Sequence, residues 1–168
     1  MLRCELPDAP GSLALLAGAI AEVGGDIQAV DVVASEGGRV LDDLIVVIDA
    51  GQGAALLAAI GRLEGVRLVH AGPSRGHPGD AAARIAVGLE ALLTGQAPPD
   101  RALTTLLGGL VQAASAECVP AAEAPEPSGR VCVVPVGADA VVLRRDYRFT
   151  DGERDRAAAF ARLAALLR

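Results

Sequence analysis

The chain has 168 residues, 52% hydrophobic but only 2% aromatic, with a formal net charge of -6. That is enough for one domain or two small ones built on aliphatic packing. All 15 basic residues are arginine, so a lysine Schiff base and a P-loop lysine are excluded. The acidic balance argues against nonspecific nucleic-acid binding.

The Ala, Gly and Arg content fits GC-rich codon usage. No apolar run approaches the roughly 18 residues of a membrane span, and the N-terminus lacks the pattern of a secretory signal. Cys4, Cys118 and Cys132 have no metal-ligand spacing. Their odd number fits a reducing cytoplasm.

Residues 1–72 read as β-α-β-β-α-β. Leu2 to Leu6 is a strand, and Asp8-Ala9-Pro10-Gly11-Ser12-Leu13 turns from it into a helix. That helix carries Leu13, Leu16, Ala17, Ile20 and Val23 on one face and stops at Gly24-Gly25. Ile27 to Ala34 and Val40 to Ile48 are strands joined at Glu36-Gly37-Gly38-Arg39. Leu44 to Ile48 is apolar throughout, the pattern of a strand covered on both faces. A second helix carries Leu56, Leu57, Ile60 and Leu63, and Gly65 precedes the fourth strand, Val66 to Ala71. This order predicts an α+β, ferredoxin-like domain: an antiparallel four-stranded sheet with both helices on one face. The other face is left for a dimer partner or the C-terminal half to cover.

Residues 73–79 are a Pro- and Gly-rich linker, and residues 80–168 form a helix-rich α/β region with two late strands. Its first helix runs from an Asp80 cap to Thr94, with Ile85, Leu89, Leu92 and Leu93 as its stripe. A second is expected from Pro98-Pro99-Asp100 to Cys118, and Pro120 to Gly129 reads as a mobile loop. Arg130 to Val136 and Ala140 to Arg144 are expected to pair through Gly137-Ala138-Asp139. Thr150-Asp151-Gly152-Glu153 has capping-box spacing and opens a last helix with Ala157, Phe160, Ala161, Leu163, Ala164 and Leu167.

The motif Asp8-x-Pro10-Gly11-x-Leu13, the Gly24-Gly25 helix end and Asp26-Ile27, together with the element order, resemble an ACT domain. The resemblance covers residues 1–72. It implies a non-enzymatic regulatory module that binds an amino acid or a similar small zwitterion at a subunit interface of a homodimer or higher homo-oligomer. The implied ligand-binding residues are Asp8, Ala9, Pro10, Gly11, Ser12 and Leu13 of one subunit and Gly25, Asp26 and Ile27 of another.

Two positions depart from the family pattern. Leu6 stands where serine-binding members have His, and Asp26 stands where the family usually has Asn. A carboxylate only accepts hydrogen bonds, so Asp8 and Asp26 suit an ammonium group. The ligand's carboxylate falls to the N–H groups of Gly11, Ser12 and Leu13, at a helix N-terminus.

Val134-Pro135-Val136, Ala140 to Arg145 and Phe149 to Glu153 resemble the end of a GAF domain, and Val111 to Ala116 resembles its start. The middle of such a domain is missing, so this half reads as an oligomerisation or partner surface. No catalytic set, metal site or cofactor is expected. His70 reads as structural and His77 as a solvated linker residue. Asp42 and Asp43 are neighbours on a strand and face opposite sides, and Ser115 and Cys118 are placed on a helix. Arg144-Arg145-Asp146-Tyr147-Arg148 reads as a solvated strand end. The alternative is a dimeric adaptor that binds a protein partner without a small ligand.

Overall fold

A computed structural model describes residues 1–74 and 81–166, and the chain divides into two compact units, Met1–Gly79 and Asp80–Arg168. It is mixed α+β with two antiparallel sheets and five α-helices among the described residues. His77, the Asp80 cap, most of the linker and Leu167 lie outside those residues.

The first unit contains β1 (Leu2–Pro7), α1 (Ser12–Glu22), β2 (Asp26–Glu36), β3 (Arg39–Val47), α2 (Gly53–Gly61) and β4 (Arg67–Ala71). Its sheet has the order β2-β3-β1-β4. Side chains alternate across a strand, so Leu2, Cys4 and Leu6 share one face and Arg3 and Glu5 the other. Leu16 and Ile20 of α1 and Leu56 and Ile60 of α2 join Leu2, Cys4, Leu6 and Leu44 in a single core, which places both helices on one face.

Gly24 ends α1 at φ 77°, a conformation that costs glycine little. Its N–H donates to Ala21 O and that of Gly25 to Ile20 O, both at 2.9 Å, the two paired hydrogen bonds of a Schellman cap. A side chain at Gly25 is precluded, because a Cβ there would lie 2.6 Å from Ile20 Cγ2. β3 is buried from Asp42 to Ile45 but Val47 is exposed. The double cover inferred from its apolar run therefore holds for the middle of the strand and fails at its end.

The second unit contains α3 (Ala81–Thr94), α4 (Pro99–Leu110), β5 (Ser115–Pro120), β6 (Val131–Val136), β7 (Asp139–Arg144) and α5 (Asp151–Ala165). Its sheet has the order β5-β7-β6. Leu103, Leu107 and Val111, together with Ala157, Ala161 and Ala164 of α5, pack on Cys132, Val134, Val136, Val141 and Leu143. α3 crosses α4 closely at Gly88, where a Cβ would meet Leu106 Cδ1 at 2.8 Å. Leu93, assigned to the buried stripe of α3, is exposed.

The second helix of this unit is shorter than its apolar pattern implied. It stops at Leu110, and Ser115 and Cys118 lie on strand β5 rather than on a helix. The cause is Gln112, which takes φ 52° while Ala113 N donates to Gly108 O at 2.9 Å. This is a Schellman-type stop built without glycine. The segment from 120 to 129 begins with a 3₁₀ turn, Ala121–Glu123.

Candidate functional site

The turn after β1 is held by its own backbone. Asp8 N donates to Gly38 O at 2.8 Å, Ala9 N to Pro7 O at 2.9 Å and Ser12 N to Ala9 O at 3.2 Å. Gly11 sits at φ 92° as the N-cap of α1, with no side chain capping the helix. The first N–H groups of a helix lack intrahelical partners. Those of Gly11, Leu13 and Ala14 have no hydrogen-bond partner among the described residues. The Ser12 N–H, assigned to a ligand from sequence, is instead consumed by the turn. Ala9, Pro10, Gly11 and Leu13 are exposed and Ser12 is half-buried.

Asp8 is exposed, and its carboxylate accepts a hydrogen bond from Ser35 Oγ at 3.0 Å. Ser35 lies near the end of β2, opposite Val40. Asp26 lies at the other end of that strand, where its carboxylate accepts from Gln28 Nε2 at 2.5 Å. Nine residues of extended chain separate Asp26 from Ser35, about 30 Å at the usual strand rise. One chain therefore does not bring Asp8 and Asp26 together. Ile27 is half-buried against the core and Gly25 is packed on Ile20, so both shape the strand entry.

Asp42 and Asp43 do face opposite sides, and their situations differ. Asp43 pairs with Arg3 in a fork, with Nε to Oδ1 and Nη2 to Oδ2 both at 2.7 Å. Asp42 lies opposite Cys4 and Val32 on the helix-covered face. It is 2% exposed, and its Oδ1 has no hydrogen-bond partner among the described residues. Burial first, then the charges of Asp43, Asp31 and Asp8, push its carboxyl above the ordinary range. Burial, helped by Asp42 and Asp43, pushes the Cys4 thiol up to about 12, so it is not a ready nucleophile. Asp42 was not singled out from the sequence, because strand alternation separates it from Asp43 but does not tell which of the two is buried without a partner.

In the second unit the Arg144-to-Arg148 run is not simply a solvated strand end. Arg145 is fully buried, its guanidinium 4.2 Å from the Tyr147 ring centroid and 3.9 Å from that of Phe149. It donates to both carboxylate oxygens of Glu153 and to the carbonyls of Val111, Tyr147 and Arg148. Asp100, Cys118 and Asp139 also come together, with their potential ligand atoms within 4.8 Å of one another. These three are far apart in sequence, which is why spacing did not flag them. Asp100 is exposed and the other two are half-buried, a setting in which acidic groups commonly gather without an ion.

The sequence matches no known family model, and no curated protein matches it significantly. Among the described residues, no helix is long and apolar enough to cross a membrane.

Proposed function

We propose that the first unit is a ferredoxin-like module of the ACT type, binding an amino acid or a similarly small zwitterion where two copies of the chain meet. The observation that carries this reading is the uncapped N-terminus of α1, where the N–H groups of Gly11, Leu13 and Ala14 have no partner among the described residues, in the turn that also carries the exposed Asp8. A ligand carboxylate suits those N–H groups and the positive end of the helix. A ligand ammonium suits Asp8. The strand order β2-β3-β1-β4 and the single core shared by both helices support the fold assignment.

The separation of Asp8 from Asp26 supports a site shared between subunits. β2 is an outer strand of its sheet and exposes Val30 and Val32, and an exposed apolar edge of this length is a template for strand pairing. Antiparallel pairing of β2 with its copy about a two-fold axis sets the start of one strand against the end of the other. Asp26 of the partner subunit then approaches the Asp8 turn. Ligand held across that junction favours one dimer geometry by its differential affinity. The module acts by binding rather than by catalysis, and its three free cysteines fit a reducing compartment.

Thermal unfolding of the full chain against the twenty amino acids, with calorimetry on any hit, tests this function. A ligand at about 100 times its Kd adds roughly 2.7 kcal/mol. Ser12→Asp places a carboxylate in the first turn, where it favours the helix dipole but repels a ligand's carboxylate. The expected result is lost binding with undiminished stability; unchanged binding removes the α1 site. The exposed Val30 and Val32 favour a second reading, an adaptor whose β2 edge pairs with another protein. A blank ligand panel together with a stoichiometric partner recovered through that edge decides for it.

A further inference from the structure

We infer that Asp42 selects ligands with a cationic side chain, taking the side-chain ammonium or guanidinium of an amino acid whose α-groups sit at Asp8 and the α1 N-terminus. The inference rests on the amino-acid-binding reading and deepens it. Asp42 lies on the helix-side face of β3, and Val40 shares that face two residues away. The register pairs Asp42 with Val32 and Val40 with Ser35, with an irregularity between Val32 and Ala34. That bulge brings Val32 and Ser35 to one face although they are three residues apart. Asp42, Val32, Ser35 and the Asp8 carboxylate held by Ser35 therefore form one strip. Val32 is 61% exposed and Ser35 is exposed, so the edge side of the strip is open.

Asp42 is the anomaly in that strip. It is buried, its Oδ1 has no hydrogen-bond partner among the described residues, and acidic charges face it from β3, β2 and the turn after β1: Asp43, Asp31 and Asp8. Arg3 is committed to Asp43, and Arg39 is committed to Glu5. A buried acceptor left unsatisfied is costly, and a cation arriving with the ligand removes that cost. Spacing defines the length of the ligand. One same-face step along a strand is about 6.6 Å, and the two nitrogens of an extended lysine are about 7 Å apart. Asp8 thus takes the α-ammonium while the side-chain cation reaches Asp42. Glycine, serine and alanine leave Asp42 unmet.

The test is calorimetry on the full chain with L-lysine against L-norleucine and L-arginine against L-citrulline, and with calcium chloride alone, repeated on Asp42→Asn. A charged hydrogen bond at a buried acceptor corresponds to about tenfold or more in affinity. We expect lysine or arginine to bind at least about tenfold tighter than its neutral counterpart. In Asp42→Asn that preference disappears while neutral amino acids bind as before. The comparison within the unmodified protein needs no variant to fold. Equal affinity for charged and neutral ligands, or a preference that survives Asp42→Asn, overturns the inference and leaves the amino-acid site standing. Calcium binding that Asp42→Asn abolishes, without an amino-acid preference, overturns it in favour of a metal site. Failure of every amino acid to bind overturns both the inference and the function beneath it.

Discussion

Arg145 of the second unit and Asp42 of the first are both buried ionisable groups, and they are handled in opposite ways. In the second unit Arg145 has five donors and spends them on Glu153 and three backbone carbonyls, between two aromatic rings. Nothing is left for a ligand, and the network ties the end of α4 through Val111 to the start of α5. In the first unit Asp42 is buried, its Oδ1 has no hydrogen-bond partner among the described residues, and burial and then Asp43, Asp31 and Asp8 push its carboxyl up. A completed buried pair is a structural device. An incomplete one costs stability in the free protein, and that cost is what a ligand relieves. Burial alone does not separate these cases; the inventory of partners does.

The largest effect tests the completed network. Arg145→Met leaves Glu153 buried without its cation, and removing one partner of a buried pair typically costs 3–5 kcal/mol. Urea unfolding followed by a second-unit probe measures this loss. A loss below about 1 kcal/mol, the surface-pair range, shows that Arg145 is not holding α4 to α5. Next comes Arg3→Met, which strips Asp43 of its fork and leaves two adjacent acids on β3. Asp43 is slightly less buried than Glu153, so water reaches it sooner and the loss is expected nearer 2–3 kcal/mol. If Arg3→Met proves harmless, the partner inventory does not distinguish Asp43 from Asp42.

A smaller effect isolates the cap from the ion pair. Thr150 Oγ1 accepts from Glu153 N at 3.2 Å, and Glu153 Oε2 accepts from Thr150 N at 2.8 Å. Thr150→Ala removes the first bond and leaves Glu153 with Arg145, so the expected loss is about 1 kcal/mol. A loss as large as that of Arg145→Met would mean that the cap, rather than the cation, positions Glu153.

Much of this arrangement was legible where local rules act alone. The Gly24 stop, the turn at Gly137-Ala138 and the Thr150–Glu153 box are written in residue types that each geometry demands. The failures share a cause. Gln112 reverses the chain with no glycine to announce it, so the helical period was carried to Cys118, into what is strand β5. Arg145 was read as solvated because its partners lie 34 residues back at Val111 and eight ahead at Glu153. Strand alternation separated Asp42 from Asp43, but the register that buries Asp42 opposite Cys4 and Val32 is a long-range property. The Asp8 turn was visible from its motif, but its distance from Asp26 emerged only from the length and direction of β2.

The smallest effect has the opposite sign and tests the incomplete case most directly. Asp42→Asn is expected to stabilise the free protein near neutral pH, because it replaces a destabilised buried charge with a neutral group of the same shape. The folded-state pKa of Asp42 is raised by burial and by Asp43, Asp31 and Asp8, so the native chain holds that proton more tightly than the unfolded chain does. Its contribution is full below the ordinary carboxylate range and declines as pH rises from that range through the raised folded value. Glu5 works in the other direction. Burial would raise its pKa, but hydrogen bonds from Arg67 and Arg39 outweigh this and hold it down. Stability from Glu5 is therefore present above the ordinary carboxylate range and is lost as pH falls through its lowered value. The two opposing slopes overlap in the unmodified protein, and subtracting the Asp42→Asn profile separates them. The gain from Asp42→Asn should be absent in acid and grow as pH rises. A gain that is independent of pH, or a loss at neutral pH, means that Asp42 already has a partner in solution, and the contrast between the two units disappears.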